Sequence, residues 1–299
     1  MSYSRRRTAN IVIPSLAAAA IAAVAFSTAS PGTQTAQPSA PKAQGDAPKQ
    51  PVAQASMGDP ENPATWRLPV EAYMLTKAQA RLVSDTRDDL LDQCMAKAGH
   101  PAWTPPPDLP ALGGKTLTDW RYGIHDAALA AERGYHPDAE EQKAYDAAMG
   151  AGAVDKTGAD ESTVRGCVEQ VNGQVPSASP RADLVQKISG EAFIQSGKDP
   201  QVVRVFADWS SCMKGKGFTY AKPMDANDDP AFSDPTVVSD TEVATATADI
   251  QCRDKLDVEK TWFDAETKLQ QAAITKHQAE LNTVANDNKT VIAKAKAAR

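Results

Sequence analysis

The four cysteines are the residues of this 299-residue sequence whose type and spacing most directly suggest chemistry. Cys94 and Cys212 each stand in a Cys-Met pair, in "LLDQCMAKAG" and "SSCMKGKG". A zinc site needs close pairs such as C-x-x-C, and redox catalysis uses that motif or a thiolate beside basic groups. The nearest cysteines here are 40 residues apart. Disulfides are therefore the favoured interpretation, and Lys214 and Lys216 near Cys212 leave a redox role as the alternative.

The same order of features occurs twice along the chain. Cys-Met-x-x-x-Gly begins at Cys94 and again at Cys212, and in each half a loop with aromatic residues and proline, a helix and a single cysteine follow. We interpret this pattern as a diverged tandem duplication. Of the three connectivities that four cysteines allow, it predicts the two within-half bridges, Cys94–Cys167 and Cys212–Cys252.

The four histidines do not form a motif for metal binding or general base catalysis. His100 and His136 precede prolines in predicted loops, so solvated or capping roles are expected. His277 falls on a helical face and is expected to be packed or to lie at its edge. Nucleophile-elbow, P-loop and dinucleotide-binding motifs do not occur. We therefore assign no catalytic, cofactor-binding or metal-binding residue.

Carboxylates are abundant but their spacing is unspecific. The stretch "DANDDPAFSD" (225–234) resembles a calcium loop but lacks the spaced ligands that end in a glutamate. A solvated turn is expected there. Glycoside hydrolysis needs two converging acids, and nothing in the sequence singles out a pair.

Aromatic residues cluster in the first half, in "DWRYGIHD" and "ERGYHPD". Such a cluster predicts a small core beneath loops rather than a platform for a ligand. Its members are Trp120, Arg121, Tyr122, His125 and Tyr135.

The end of the sequence is basic although the chain is acidic. Residues 268–299 carry six basic residues against Glu280 and Asp287, whereas the whole chain has a net charge of −6. The simplest explanation is that cations favour a helix C-terminus. The alternative is contact with anionic envelope polymers or lipid headgroups. The candidate contact residues are Lys289, Lys294, Lys296 and Arg299.

The first 29 residues predict a secretory signal peptide. Three arginines precede an apolar stretch at 11–26, and small residues follow up to a cleavage site after Ala29. The apolar stretch is shorter than the roughly 20 residues that span a bilayer, so cleavage is favoured over a permanent anchor. Membrane attachment is expected only through an uncleaved signal segment, if at all. Residues 30–65, rich in Pro, Ala and Gln, predict a disordered linker.

The net charge of the chain limits the classes of partner it can bind. Removal of the three arginines of the signal segment changes the charge from −6 to −9. Affinity for nucleic acid comes largely from neutralising phosphates, so this class of partner is excluded.

Apolar residues recur at helical spacing after the linker, and the alternation typical of strands is nearly absent. We predict a mostly α fold with two similar helical lobes, 66–180 and 181–299, each closed by a disulfide. A long C-terminal helix is expected to run with little interruption from 240 to about 297. Its spacing predicts a seam, of coiled-coil type, for a helix of this chain or of a homodimer partner. The seam residues are Leu269, Ala273, His277, Leu281, Val284, Asn288 and Val291.

Capping patterns give the helix ends. Thr76 and Gln79 form a capping box, and Gly99 ends the helix that follows. Asp199 is expected as an N-cap with Pro200 in the first helical position. The buried stripe of that helix is predicted to be Val202, Val205, Phe206, Trp209 and Met213.

Several phrases resemble those of an uncharacterised family of exported, often lipoprotein, proteins from filamentous actinobacteria. They include "RYGIHDAALAAERGYH", "VRGCVEQV" and "WSSCMKGKGFTY", and the resemblance spans about 66 to 285. It implies export and the disulfide layout. A lipid-attachment cysteine is not expected, because no cysteine precedes Cys94.

These observations predict a secreted or cell-surface helical protein that is not an enzyme. We expect a binding or accessory module of the cell envelope, without a cofactor, whose partner is an envelope polymer or protein. A hydrolase acting on envelope or extracellular polymers is the alternative.

Overall fold

The computed structural model describes residues 53–113, 116–152, 157–234 and 236–299. The predicted signal segment and the linker up to residue 52 lie outside them. The one pairing of extended backbone in these ranges is a bridge between Ser56 and Arg67, so the mostly α class is confirmed. The α-helices of the described residues are α1 (Lys77–Lys97), α2 (Leu117–Arg121), α3 (Ala127–Arg133), α4 (Ala139–Gly152), α5 (Glu161–Gln174), α6 (Ala182–Ser196), α7 (Pro200–Gly215), α8 (Pro223–Asn227), α9 (Asp240–Leu256), α10 (Val258–Lys276) and α11 (Gln278–Ala297).

Helix ends lie where the capping patterns predict them. The Thr76 hydroxyl accepts from the Gln79 N–H at 3.3 Å, and the Thr76 N–H donates to the Gln79 side chain at 2.9 Å. Gly99, at φ +95°, follows the end of α1. Asp199 caps α7, which starts at Pro200. The buried residues of α7 are the predicted ones, Val202, Val205, Phe206, Trp209 and Met213.

The expected long C-terminal helix is broken twice, into α9, α10 and α11. Asp257 adopts the left-handed conformation (φ 51°, ψ 43°), which an aspartate tolerates better than most residues. His277 (φ −109°) makes the second, smaller break. The breaks let successive helices reach partly different partners, since both α9 and α10 pack on α7 but α9 also packs on α3 and α8 whereas α10 also packs on α6.

The expectation that the linker reaches residue 65 is wrong for 53–65. Trp66 is buried, and its indole N–H donates to the Asp59 carbonyl at 2.8 Å. Asn62 caps a 3-10 helix at Pro63–Thr65. Burial of one large aromatic side chain thus orders the residues before it.

Both predicted disulfides are present, with Cα–Cα distances of 5.7 Å for Cys94–Cys167 and 5.8 Å for Cys212–Cys252. The contacts do not confirm a division into two lobes, because residues 50–299 form one compact unit. Packing of α1 on α11 and of α3 on α9 joins the two halves.

The two disulfides lie in different hydrophobic clusters. Cys252 belongs to the main core, built chiefly from α7, α9 and α10 with Trp66 and Tyr122. Cys167 belongs to a smaller cluster between α1 and α5, which we call the corner cluster: Leu91, Met95, Trp103, Cys167 and Val171.

Candidate functional site

Helices α1 and α11 lie side by side and run in the same direction. The Asn288 side chain donates to the carbonyl of Tyr73, three residues before the α1 N-cap, at 2.9 Å. Eleven residues further along, Arg299 reaches the Asp85 carboxylate at 3.4 Å. The first turns of α1 and the last turns of α11 therefore form one continuous part of the surface.

The predicted helical seam brings these two helices together. Leu281, Val284 and Val291 are buried in clusters that include residues of α1, of α6 and of the 3-10 helix at Pro69–Tyr73. The face proposed for a homodimer is thus largely covered within the chain. Leu269, which remains 37% exposed, is the exception.

The basic residues named from the sequence are exposed on this helix pair. The structure adds Lys77 and Arg81 from the first two turns of α1, which are also exposed. Neither 76–84 nor 288–299 contains an aspartate or glutamate. We call these six side chains the basic surface: Lys77, Arg81, Lys289, Lys294, Lys296 and Arg299.

A solvent-open groove of about 780 Å³ lies between α1 and the Pro-rich loop at 108–111. The Ser84 hydroxyl donates to the Asp108 carboxylate at 3.0 Å and so ties the loop to the helix. Leu109 in the loop is 50% exposed, and Ser177, beyond the end of α5, also lines the groove. The groove is lined by both polar and apolar side chains and is open to solvent.

The charges in the groove are separated along its length. Lys77 and Arg81 lie at its α1 N-terminal end, where Asp85 pairs with both Arg81 (3.9 Å) and Arg299. Towards the other end, burial raises the pKa of Asp88, and the carboxylates of Asp108, Asp92 and Asp85 raise it further. Lys77 and Arg81 therefore make one end basic, whereas Arg87 accompanies the carboxylates towards the other end.

A second concentration of charge is buried beneath α9 and α10. The Glu266 carboxylate accepts from Arg121 Nε at 2.9 Å, from the Tyr122 hydroxyl at 2.9 Å and from Gln270 at 2.8 Å. Burial raises the pKa of Glu266, and Arg121 opposes that shift. These bonds attach the short helix α2 to α10.

Arg253 is fully buried in the same network. Its Nε donates to Asp249 at 2.6 Å, and its Nη1 donates to the Tyr122 carbonyl and, at 3.3 Å, to Glu259. Burial raises the pKa of Glu259 to about 7 although Arg253 opposes the shift. Gly123, at φ +96°, leaves room for the guanidinium, since a Cβ there would lie 2.8 Å from Nη2.

His136 and Glu242 form a histidine–carboxylate pair. His136 Nδ1 is 2.6 Å from Glu242 Oε1, and Nε2 is 2.8 Å from the Asp234 carbonyl. A carbonyl only accepts, so Nε2 carries a proton. With both ring nitrogens engaged and 7% of the side chain exposed, the imidazole is not available to a substrate. The expected solvated or capping role of His136 is wrong, because Glu242 from α9 recruits it into the interior.

Of the aromatic cluster in the first half, Tyr122 lies in the core and Tyr135 packs against it, as predicted. Tyr122 is 1% exposed in the main core. Tyr135 stacks on Phe232 at 5.9 Å and donates to Asp249 at 3.1 Å. The side chain of Trp120 is not among those described.

The stretch that resembles a calcium loop uses its carboxylates as turn caps. Asp225 accepts from the Lys222 N–H, Asp229 from the Ala231 N–H, and Asp234 from the Thr236 N–H. In the described part of the chain, no three His, Cys, Asp or Glu side chains are placed to hold a metal ion.

Sequence reasoning missed the buried charges of α9 and α10. The available signal is periodicity, since Glu242, Asp249 and Arg253 share a helical face with the core residues Ala246 and Ile250. Charged residues on an apolar stripe indicate buried pairs.

Comparison with known proteins gives no relative, because no family model, curated protein or solved structure matches the chain. None of the helices in the described ranges is long and apolar enough to cross a membrane.

Proposed function

We propose that this protein is an exported helical binding or accessory module of the cell envelope and not an enzyme. Its two disulfides are consistent with an oxidising, extracellular environment. The signal-like first 29 residues and the resemblance to exported actinobacterial proteins support the same location.

The contrast between what is exposed and what is sealed carries this proposal. The groove and the basic surface are accessible. The His136–Glu242 pair and the carboxylates of Glu259 and Glu266 are occupied by partners inside the protein. An accessible surface with sealed titratable groups favours binding over catalysis.

The experiment is co-sedimentation of the oxidised, secreted protein with isolated envelope material, with release of soluble fragments measured in parallel. We expect the protein to sediment with the envelope and no fragments to appear. Failure to sediment would contradict a binding role.

A hydrolase is the second candidate, because Asp108 lines the groove and Asp88, whose pKa is raised by burial and by Asp108, lies beside it. A general acid needs such a raised pKa. Fragment release by the wild type that is lost in Asp88→Asn and Asp108→Asn would favour this candidate.

We further propose that the two halves are a diverged duplication. The N–H of His100 donates to the Met95 carbonyl at 2.9 Å, and the N–H of Phe218 donates to the Met213 carbonyl at 3.0 Å. In each case the preceding glycine has a positive φ, +95° or +93°. The same helix-ending joint thus follows each Cys-Met pair.

A further inference from the structure

We propose that the basic surface and the adjoining end of the groove bind a linear polyanion, a polymer with phosphate or carboxylate groups repeated along its chain. This inference rests on the proposed binding function and gives it a site and a ligand class.

Charge complementarity is the first argument. Six cations lie in two acid-free stretches, 76–84 and 288–299, of a chain whose net charge is −6. Asp85, the residue after the first stretch, pairs with Arg81 and Arg299, so the excess charge is carried by Lys77, Lys289, Lys294 and Lys296. The Asn288–Tyr73 and Arg299–Asp85 contacts place these stretches side by side, although more than 200 residues separate them. An otherwise acidic molecule repels a polyanion elsewhere and so directs it to this surface.

The spacing of the cations suits an extended ligand. Lys289 and Lys296 are two turns apart on one side of α11, about 10 Å along the helix axis. Lys77 and Arg81 are one turn apart on α1 and both line the groove. A polymer lying along the helix pair would meet several cations in succession, whereas a single small anion would meet one or two.

The ligand is a polymer in solution or in the wall rather than a bilayer. A helix that lies on a membrane inserts an apolar face. The apolar residues of α11 are instead buried against the rest of the chain, including Leu281, Val284, Val291 and Ala295.

The test uses the full oxidised protein and two probes, long-chain polyphosphate and polygalacturonate, in a fluorescence binding assay. The triple variant K289E/K294E/K296E and the double variant K77Q/R81Q remove charge from the two helices. We expect an affinity loss on the order of tenfold or more for the triple variant, a smaller loss for the double variant, and weaker binding at higher salt.

A matched control, K187E/K198E/K214E, makes the same charge change at exposed lysines of α6, α7 and the turn between them. It is expected to change affinity less than twofold. Circular dichroism and non-reducing mass spectrometry confirm that each variant is folded and oxidised. Equal losses in the triple variant and the control, or no binding of either probe by the wild type, overturn the proposal.

Two further comparisons identify the kind of anion and distinguish failure of this site from failure of the proposed binding function. Tighter binding of polyphosphate than of polygalacturonate identifies a phosphate polymer, and the reverse identifies a polycarboxylate. Binding to anionic lipid vesicles as tight as to the polymers overturns the polymer assignment. If the triple variant still binds the envelope, this site is refuted while the binding function stands. If the wild type does not bind the envelope, both are refuted.

Discussion

Each disulfide joins the end of one helix to a later helix, but the two lie in very different surroundings. Cys212–Cys252 joins α7 to α9 within the main core, where Cys252 is 0% exposed. Both of those helices also pack on other elements, including α3, α8 and α10. Cys94–Cys167 joins α1 to α5, and α5 packs chiefly on α1. One bridge therefore lies at the centre of the fold and the other fastens a peripheral helix.

The difference separates what a disulfide does to the unfolded chain from what it does to the native state. The loops closed span 40 and 73 residues, and the chain-entropy model gives each bridge about 4 kcal/mol. Any difference between the bridges must then come from their native neighbours. A helix held by one partner can open locally, whereas a helix in the main core opens only when the core unfolds.

The largest expected effect tests the centre of the fold. Arg253→Met leaves Asp249 and Glu259 buried without their cation, which we expect to cost about 3–5 kcal/mol of unfolding free energy. Arg87→Met is the matched substitution on α1, one turn before Leu91 of the corner cluster. Arg87 donates to the Val175 carbonyl and is half-buried, so about 1 kcal/mol is expected. Urea unfolding measures both, and equal losses would contradict the contrast between the regions.

The next effect is that of removing the central bridge. In Cys212→Ala/Cys252→Ala we expect a loss of about 3–4 kcal/mol, because α7 cannot separate from α9 without opening the main core. The loss should appear as an earlier, still cooperative transition in circular dichroism. An unchanged midpoint, with local exchange confined to α7, would show that the bridge is not central.

A smaller effect concerns pH and the buried acids of the centre. The folded protein keeps the Glu259 proton up to about pH 7, whereas an unfolded glutamate releases it near 4.5. Between these values the native state binds more protons, so stability falls as pH rises from about 4.5 to 7 and then levels off. We expect this fall to be about 3 kcal/mol smaller in Glu259→Gln.

Urea unfolding at pH 5 and pH 8 measures this dependence. Asp88→Asn is the matched control on α1, where the carboxyl is half-exposed and its pKa is raised first by burial and then by Asp108, Asp92 and Asp85. A Glu259→Gln protein with the wild-type pH dependence would rule out Glu259 as its source.

Features fixed by near neighbours could be predicted from the sequence, whereas features fixed by distant contacts could not. Thr76, Gly99, Asp199 and Pro200 mark helix ends through bonds to near neighbours, so their pattern is readable without the fold. The break at Asp257 has no glycine or proline to announce it, because it depends on which helices α9 and α10 pack against.

The candidate site divides in the same way. Lys289, Lys294 and Lys296 were recognisable as a local excess of charge. Their proximity to Lys77 and Arg81 depends on a helix contact between residues more than 200 positions apart. Hydrophobic periodicity predicts that α11 packs on another helix but does not identify that helix.

The smallest effect on global stability is expected from Cys94→Ala/Cys167→Ala. Because α5 packs chiefly on α1, we expect it to detach locally. The free energy of unfolding of the main core should stay within about 1 kcal/mol of the wild-type value. Hydrogen exchange should then show loss of protection in α5 and none in α7. Since Ser177 after α5 lines the groove, polyphosphate affinity should also fall a few-fold, although the six cations remain. A shift of the whole transition by about 4 kcal/mol, with α5 still protected, would instead make the two bridges equivalent and α5 part of the cooperative core.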